Sequence, residues 1–476
     1  MKRLLFILLF VGFLLPGYSS AVRITNVSFT GRPTDPKNPS LYVYLTVAWD
    51  NAWHTDKNKD GVWIFFKLNH QNDIRSQRHA FVKSAGHVLV HNYLANKITP
   101  SFYVPAHAAG VMIYPNQKYR GPLQWRIKVE LDLAALSGID FGSNVVFGTA
   151  LGVEMVNIPR GSFYIGDSDS LSQEESSSFY EFVSKQPLNI QSEKAISFGQ
   201  KPGDIFYKNN ERAQYRGDLG GPIPETFPKG YNSFWIMKYE MTEGQYVAFL
   251  NSISNSPSQM RANFGGKMYY NDRGSIEFKD GLYQTPHPDR PANFVSWDDG
   301  CGFADWAGLR PFTELEYEKA CRGPRKPAAG DFPWGTNSRE KVSRYYSEHG
   351  DLVFERGLDE SMLSDTNLEL FGASYYWVMD LSGSLWERVV SIGSEKGRSF
   401  IGTHGDGRID GEGNATNSDW PSNKMGGLGY RGSGFYGFGM RGDPFHSVSN
   451  RPYGAWGEGP RSVGYGFRAA LSGPGN

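Results

Sequence analysis

Charge of one sign is missing from this chain: 49 basic residues face 49 acidic ones across 476 positions. That balance leaves no electrostatic footprint for nucleic acid or for an anionic membrane surface. Long apolar runs are also scarce. The run from Leu4 to Leu15 is too short to span a bilayer, and no later segment is long and apolar enough to do so. Cysteine is nearly absent, with only Cys301 and Cys321. Histidine is sparse too. His54, His70, His79, His87, His91 and His107 fall in the first third of the chain, without a spacing that suits metal ligation. Between residue 22 and about residue 153 no long helical period occurs.

What is present begins with a leader. Lys2 and Arg3 precede the apolar run, and Ser19-Ser20-Ala21 offers small residues for cleavage, which predicts a signal peptide over 1–21. The mature chain is therefore expected to be exported and soluble: periplasmic, secreted or held at the cell surface by partners. In an oxidising compartment two cysteines suggest one bridge, with a pair of buried free thiols as the alternative.

Residues 22–153 read as strands separated by turns. The runs 41–47, 62–68, 111–114, 125–131 and 145–147 carry the pattern, and 125–131 alternates cleanly. A separate β-sandwich domain is expected here. Asp56-Lys57-Asn58-Lys59-Asp60-Gly61 has oxygen donors at alternate positions, as a calcium loop does. Its twelfth position is Lys67, however, so a polar hairpin turn is the better reading.

The stretch Pro291–Pro324 organises the remainder. Asp298 is expected to cap a helix carrying Phe303, Ala304, Trp306 and Ala307 on helical spacing, with Gly308 ending it. Thr313 and Glu316 form a capping box for a second helix, which Gly323 and Pro324 stop. An antiparallel hairpin of these helices would bring Cys301 and Cys321 side by side. Thr242 and Gln245 form another capping box upstream. Much of 168–230 is polar with Gly and Pro and reads as a surface insertion. From Gly397 on, the chain is dense in glycine and aromatics, including Trp420, Tyr430, Tyr453, Trp456 and Tyr465. Ordered loops pinned by large side chains are expected there.

Five blocks in order carry a resemblance. They are Met155 to Gly166 (M-V-N-I-P-R-G-S-F-Y-I-G), Phe234 to Thr242 (F-W-I-M-K-Y-E-M-T), Pro291 to Gly323, Asp380 to Glu387 (D-L-S-G-S-L-W-E) and Gly466-Phe467-Arg468. Together the segment resembles the formylglycine-generating enzyme, or sulfatase-modifying factor, family. The fold this implies is α+β: a loop-rich, C-type-lectin-like domain over 154–476, following the β-sandwich domain.

The resemblance also implies chemistry. The family holds a structural calcium in the fourth block, which by position assigns the Asp380 side chain, the Gly383 and Leu385 carbonyls and the Glu387 side chain as ligands. It oxidises a substrate cysteine with oxygen and copper, the copper held by two thiolates that should fall near Tyr436 and Arg441. Neither position is cysteine here, and Trp386-Glu387-Arg388 stands where the family has Trp-Glu-Trp. No copper is expected, because Cu(I) selects soft thiolates. A related branch uses iron held by three histidines of a separate helical domain, for which this sequence shows no counterpart. His404 and His446, with Asp406, Asp410 and Asp443, could offer such a site in principle, but solvent-exposed loop residues are the better reading.

Two functions follow. The first is a non-catalytic binding or structural protein of the bacterial cell envelope, docking a protein or a glycan, similar to the gliding-motility and protein-secretion members of the family. The second is a formylglycine-generating sulfatase activator, or a related metal-dependent oxygenase, working with other ligands.

Overall fold

A computed structural model of the protein describes residues 22–474 apart from 71–72, 137–146, 170–172, 174–176, 209–216, 265–268, 270–272, 348, 356, 424–425, 436–445 and 457–459. The expected leader, Tyr436, Arg441 and Asp443 lie outside the described residues.

Nine strands fill the first third: β1 (Arg23–Arg32), β2 (Ser40–His54), β3 (Asp60–His70), β4 (Asp73–Ala80), β5 (Val88–Asn92), β6 (Pro100–Tyr103), β7 (Val111–Pro115), β8 (Tyr119–Glu130) and β9 (Gly148–Ile158). They divide between two sheets. The first has the order β1-β2-β8-β5. The second runs from β6 through β7, β3 and β9 to the strands Phe234–Met237 and Ala470–Ser472, with β4 also on β3.

Side-chain alternation shows how the sheets pack. Leu45, Val47 and Trp49 of β2 and Trp125 and Ile127 of β8 share one apolar cluster with Val62, Ile64 and Phe66 of β3. The rings of Trp49 and Trp125 meet edge to face at 5.3 Å. The intervening β3 residues, Trp63 and Phe65, point to the other face. There they join Val153, Met155, Trp235 and Met237 in a second cluster. Truncating such a buried aromatic to alanine typically costs about 3–5 kcal/mol.

The predicted seam between residues 153 and 154 therefore falls inside a strand. β9 pairs with β3 from Gly148 to Val156 and with the Phe234–Met237 strand from Met155 to Ile158. The N-terminal strands and the later part of the chain share one sheet.

Helices cover the second cluster. α1 (Glu243–Ser252) starts at the predicted capping box of Thr242 and Gln245. α2 (Asn255–Arg261) follows. α3 (Trp297–Trp306) is capped by Ser296, not by Asp298 as predicted. The reason is reciprocal bonding: Asp299 N donates to Ser296 Oγ at 3.1 Å, and Ser296 N donates to the Asp299 carboxylate at 2.7 Å. Asp298 instead accepts from Asn423 N at 3.1 Å. α4 (Glu314–Arg322) has the predicted Thr313–Glu316 box and ends at Gly323, whose φ is +61°.

Cys301 and Cys321 are buried free thiols, the alternative to the candidate bridge. The two helices bury them in different places. Cys301 sits in the cluster of Trp297, Phe303 and Trp306, whereas Cys321 sits with Phe234, Ile236 and Tyr317. Burial pushes both thiols above their ordinary pKa.

The 55–59 segment is a polar turn, as predicted, but β2 and β3 do not pair as a hairpin. A single bridge between His54 and Lys59 closes the turn, which carries the chain from the first sheet to the second, and its side chains bond the protein itself. Asp60 accepts Trp53 N at 2.8 Å, and Asp56 pairs with Lys118 at 2.6 Å. Lys57 Nζ reaches Asp365 at 2.6 Å, and Asn58 Nδ2 donates to Tyr376 O at 2.8 Å. The turn therefore fastens the N-terminal strands to the 365–376 segment.

Candidate functional site

The Asp380–Glu387 turn lies between the Phe234–Met237 strand and the chain's closing segment, and its carboxylates are already engaged. Arg344 grips Asp380 with two bonds of 2.8 and 3.2 Å. Arg468 Nε and Nη2 both reach Glu387 Oε1, at 2.8 and 2.6 Å. These side chains are at most 7% exposed. Gly383 N donates to Gly432 O at 3.0 Å.

A third carboxylate, Glu240, closes the turn from the strand side. It accepts Leu385 N at 2.8 Å and Ser384 Oγ at 2.7 Å. Burial and the neighbouring Glu387 raise its pKa to about 8, with Arg468 opposing. Arg273 Nη1 donates to Ser384 O at 3.2 Å, and its guanidinium lies 4.3 Å from the Phe435 ring.

Calcium does not fit the set Asp380, Gly383, Leu385 and Glu387. A calcium shell needs six to eight oxygens free to turn toward the ion. Here Arg344 takes both oxygens of Asp380 and Arg468 takes Oε1 of Glu387, which leaves Glu387 Oε2 as the one carboxylate oxygen of the set without a partner. The turn is a carboxylate–arginine lock. Copper does not fit either, since both thiols are sealed in separate apolar clusters.

The histidine–carboxylate set does not converge among the described residues. His404 stacks on His107 at 4.4 Å, and its Nε2 accepts Ser472 N at 2.9 Å. Burial holds His404 well below its ordinary pKa. Asp406 accepts Arg408 N at 2.9 Å, and Asp410 accepts the amides of Glu412 and Asn414 at 2.8 Å each. No group of three or more His, Cys, Asp or Glu able to hold a metal occurs among the described residues.

What the C-terminal loops do assemble is an aromatic box. Trp386 meets Tyr453 at 5.3 Å, Tyr430 meets Trp456 at 5.0 Å, and Tyr430 meets Tyr465 at 4.8 Å. Arg388 stands inside it, 5.2 Å from the Tyr430 ring and 5.4 Å from Tyr465, with Nη2 donating to Pro460 O at 2.6 Å. Trp386 and Tyr430 are buried, while Tyr453, Trp456 and Tyr465 are half-exposed. These three rings pack on one another and on the buried pair while reaching the surface.

The family model described as the sulfatase-modifying factor enzyme 1-like domain matches residues 148–431. The chain belongs to this family. Within the sulfatase-modifying factor group it is 22% identical over 213 residues to the formylglycine-generating enzyme of Bos taurus, covering 39% of this chain and 55% of that enzyme. It is 30% identical over 203 residues to the formylglycine-generating enzyme of Thermomonospora curvata, covering 36% of this chain and 66% of the relative. A hercynine oxygenase of Mycobacterium tuberculosis is 28% identical over 117 residues, covering 22% of this chain and 27% of that enzyme. The match to the bovine enzyme thus spans a little over half of that relative's length. The family match begins at 148, where β9 begins, so β1 to β8 lie before it.

Glu240 and Arg468 fall within family-like blocks, Lys238-Tyr239-Glu240 and Gly466-Phe467-Arg468, and could have been read as partners of the turn. Arg273 and Arg344 lie in irregular sequence and gave no such signal.

Proposed function

We propose that this chain is an exported docking protein of the bacterial cell envelope: a sulfatase-modifying factor scaffold without copper chemistry that takes an envelope protein or a glycan. One observation carries the reading. The only two thiols in the sequence are sealed in separate apolar clusters, so neither is placed to become a copper thiolate. The arginine-filled turn and the committed His404 ring support the same reading. The half-exposed rings of Tyr453, Trp456 and Tyr465 supply contact surface, and the basic and apolar start of the sequence supports export.

The test has two arms. Full-length protein is incubated with copper, oxygen and a cysteine-containing sulfatase peptide, and peptide mass is followed for conversion of the thiol to an aldehyde. In parallel, envelope fractions are passed over immobilised protein and over its Trp456→Ala variant. The expected result is no aldehyde, together with a retained envelope component that the variant loses. Aldehyde formation, or stoichiometric copper or iron in the purified protein, would overturn the reading.

A further inference from the structure

A cavity of about 530 Å³ opens where β3 and β4 meet the family domain. Its size lies within the usual range for small-molecule sites. Its walls come from both parts of the chain: Lys67 and His79 from the N-terminal strands, Trp306 from the end of α3, and the glycine-rich 407–413 loop. Because β3 and β4 precede the matched 148–431 region, the family scaffold by itself does not make this cavity.

Two features define the cavity. The first is its inner wall. Lys67 Nζ donates to Trp306 O at 2.6 Å and Gly407 O at 3.0 Å, and lies 5.0 Å from the Trp306 ring centre. His79 Nε2 bonds Ala109 O at 2.7 Å, but His79 Nδ1 has no partner, nor has Trp306 Nε1. These side chains are 5% and 4% exposed. Both atoms are shut off from solvent, and His79 Nδ1 packs against Gly407, where a Cβ would lie 2.1 Å away, so these groups form a tightly packed wall rather than contacts for a ligand.

The second feature is the rim. Arg78 and Arg408 both line the opening, and neither guanidinium has a hydrogen bond or an ion pair among the described residues. The Arg408 guanidinium rests 5.8 Å from the Phe81 ring centre. Asp410 is the carboxylate on the lining, and its oxygens are taken by the amides of Glu412 and Asn414 and by Asn414 Nδ2 at 3.0 Å. The opening thus presents two free forks suited to a carboxylate or sulfate. Behind them lie hydroxyls of Ser252 and Ser254, the backbone of the glycine loop and an indole. Hydroxyl-rich ligands need such a mixture of hydrogen-bonding groups beside an aromatic surface.

We infer that this cavity binds an acidic sugar, its carboxylate or sulfate held by Arg78 and Arg408 and its ring lodged toward Trp306. The expectation of a glycan rests on the docking reading, and the test separates the two. Full-length protein is titrated calorimetrically with digalacturonate, with a sulfated disaccharide and with uncharged cellobiose. One or both acidic sugars bind saturably and cellobiose does not; which of them binds identifies the anionic group. The Arg78→Ala/Arg408→Ala double variant changes two exposed side chains, keeps the wild-type melting temperature and binds about tenfold more weakly or worse. The inference is overturned if neither acidic sugar binds, if cellobiose binds as tightly, or if the double variant binds like wild type. In any of these cases the docking reading still stands while the thiol-peptide assay stays negative.

Discussion

Replacing Asp380 by asparagine separates the two accounts of the 380–387 turn. Asp380 pairs bidentately with Arg344, and the two side chains are 7% and 1% exposed. Removing one partner of a buried ion pair strands the other charge and costs about 3–5 kcal/mol. Asparagine keeps one acceptor oxygen, so the lower part of that range, about 3 kcal/mol, is expected. The assay is equilibrium urea unfolding of wild type and variant, each with calcium and with chelator. If arginine is the counter-ion, the wild-type curve does not respond to calcium, and the variant's midpoint falls by about 1 M in either condition. A resident calcium behaves differently: at a hundredfold excess over Kd it adds about 2.7 kcal/mol. A wild-type midpoint that rises with calcium, and an Asp380→Asn midpoint that does not, would refute the arginine lock.

Three further outcomes are expected. Glu240 has its folded pKa raised to about 8, by burial first and by Glu387 second, so its contribution to stability is fully present below pH 4.5 and is lost as pH rises through 8. Glu240→Gln should flatten the fall in unfolding free energy over that window, and an unchanged slope would count against the assignment. Native protein should leave Cys301 and Cys321 unreactive to a thiol reagent, both should react after denaturation without reductant, and intact mass should not change on reduction; a gain of two hydrogens on reduction would restore the bridge. Gly323→Ala should lower stability by about 1–3 kcal/mol, because the residue sits at φ +61° and an added Cβ would lie 2.2 Å from the Tyr375 ring; a wild-type melting temperature would contradict the placement of that helix end.

The features legible in the sequence are those settled within one turn of chain. Thr242 with Gln245, and Thr313 with Glu316, cap their helices because each box is closed by residues three apart. The same local rule holds for Ser296 and Asp299, which cap α3 in place of the expected Asp298, and the distant Asn423, which engages Asp298, takes no part in that local pattern. The carboxylates of the 380–387 turn were visible, but their partners were not. Arg344 lies 36 residues before Asp380, and Arg468 lies 81 residues after Glu387. The cysteine pairing failed for a related reason. Sequence order suggested a hairpin, whereas packing put the two cysteines into different clusters. Strands 41–47 and 125–131 were legible from alternation, but alternation carries no information about which sheet β9 would join.

β9 carries one more implication. Anyone cutting this protein at residue 148, where kinship with other members starts, would strip away β3, its hydrogen-bonded neighbour from Gly148 to Val156. The remnant would present a naked row of backbone donors and acceptors, with Met155 and Val153 beside it, ready to recruit a strand from any nearby molecule. Clumping of such a fragment would therefore report a missing neighbour, not an unstable family core.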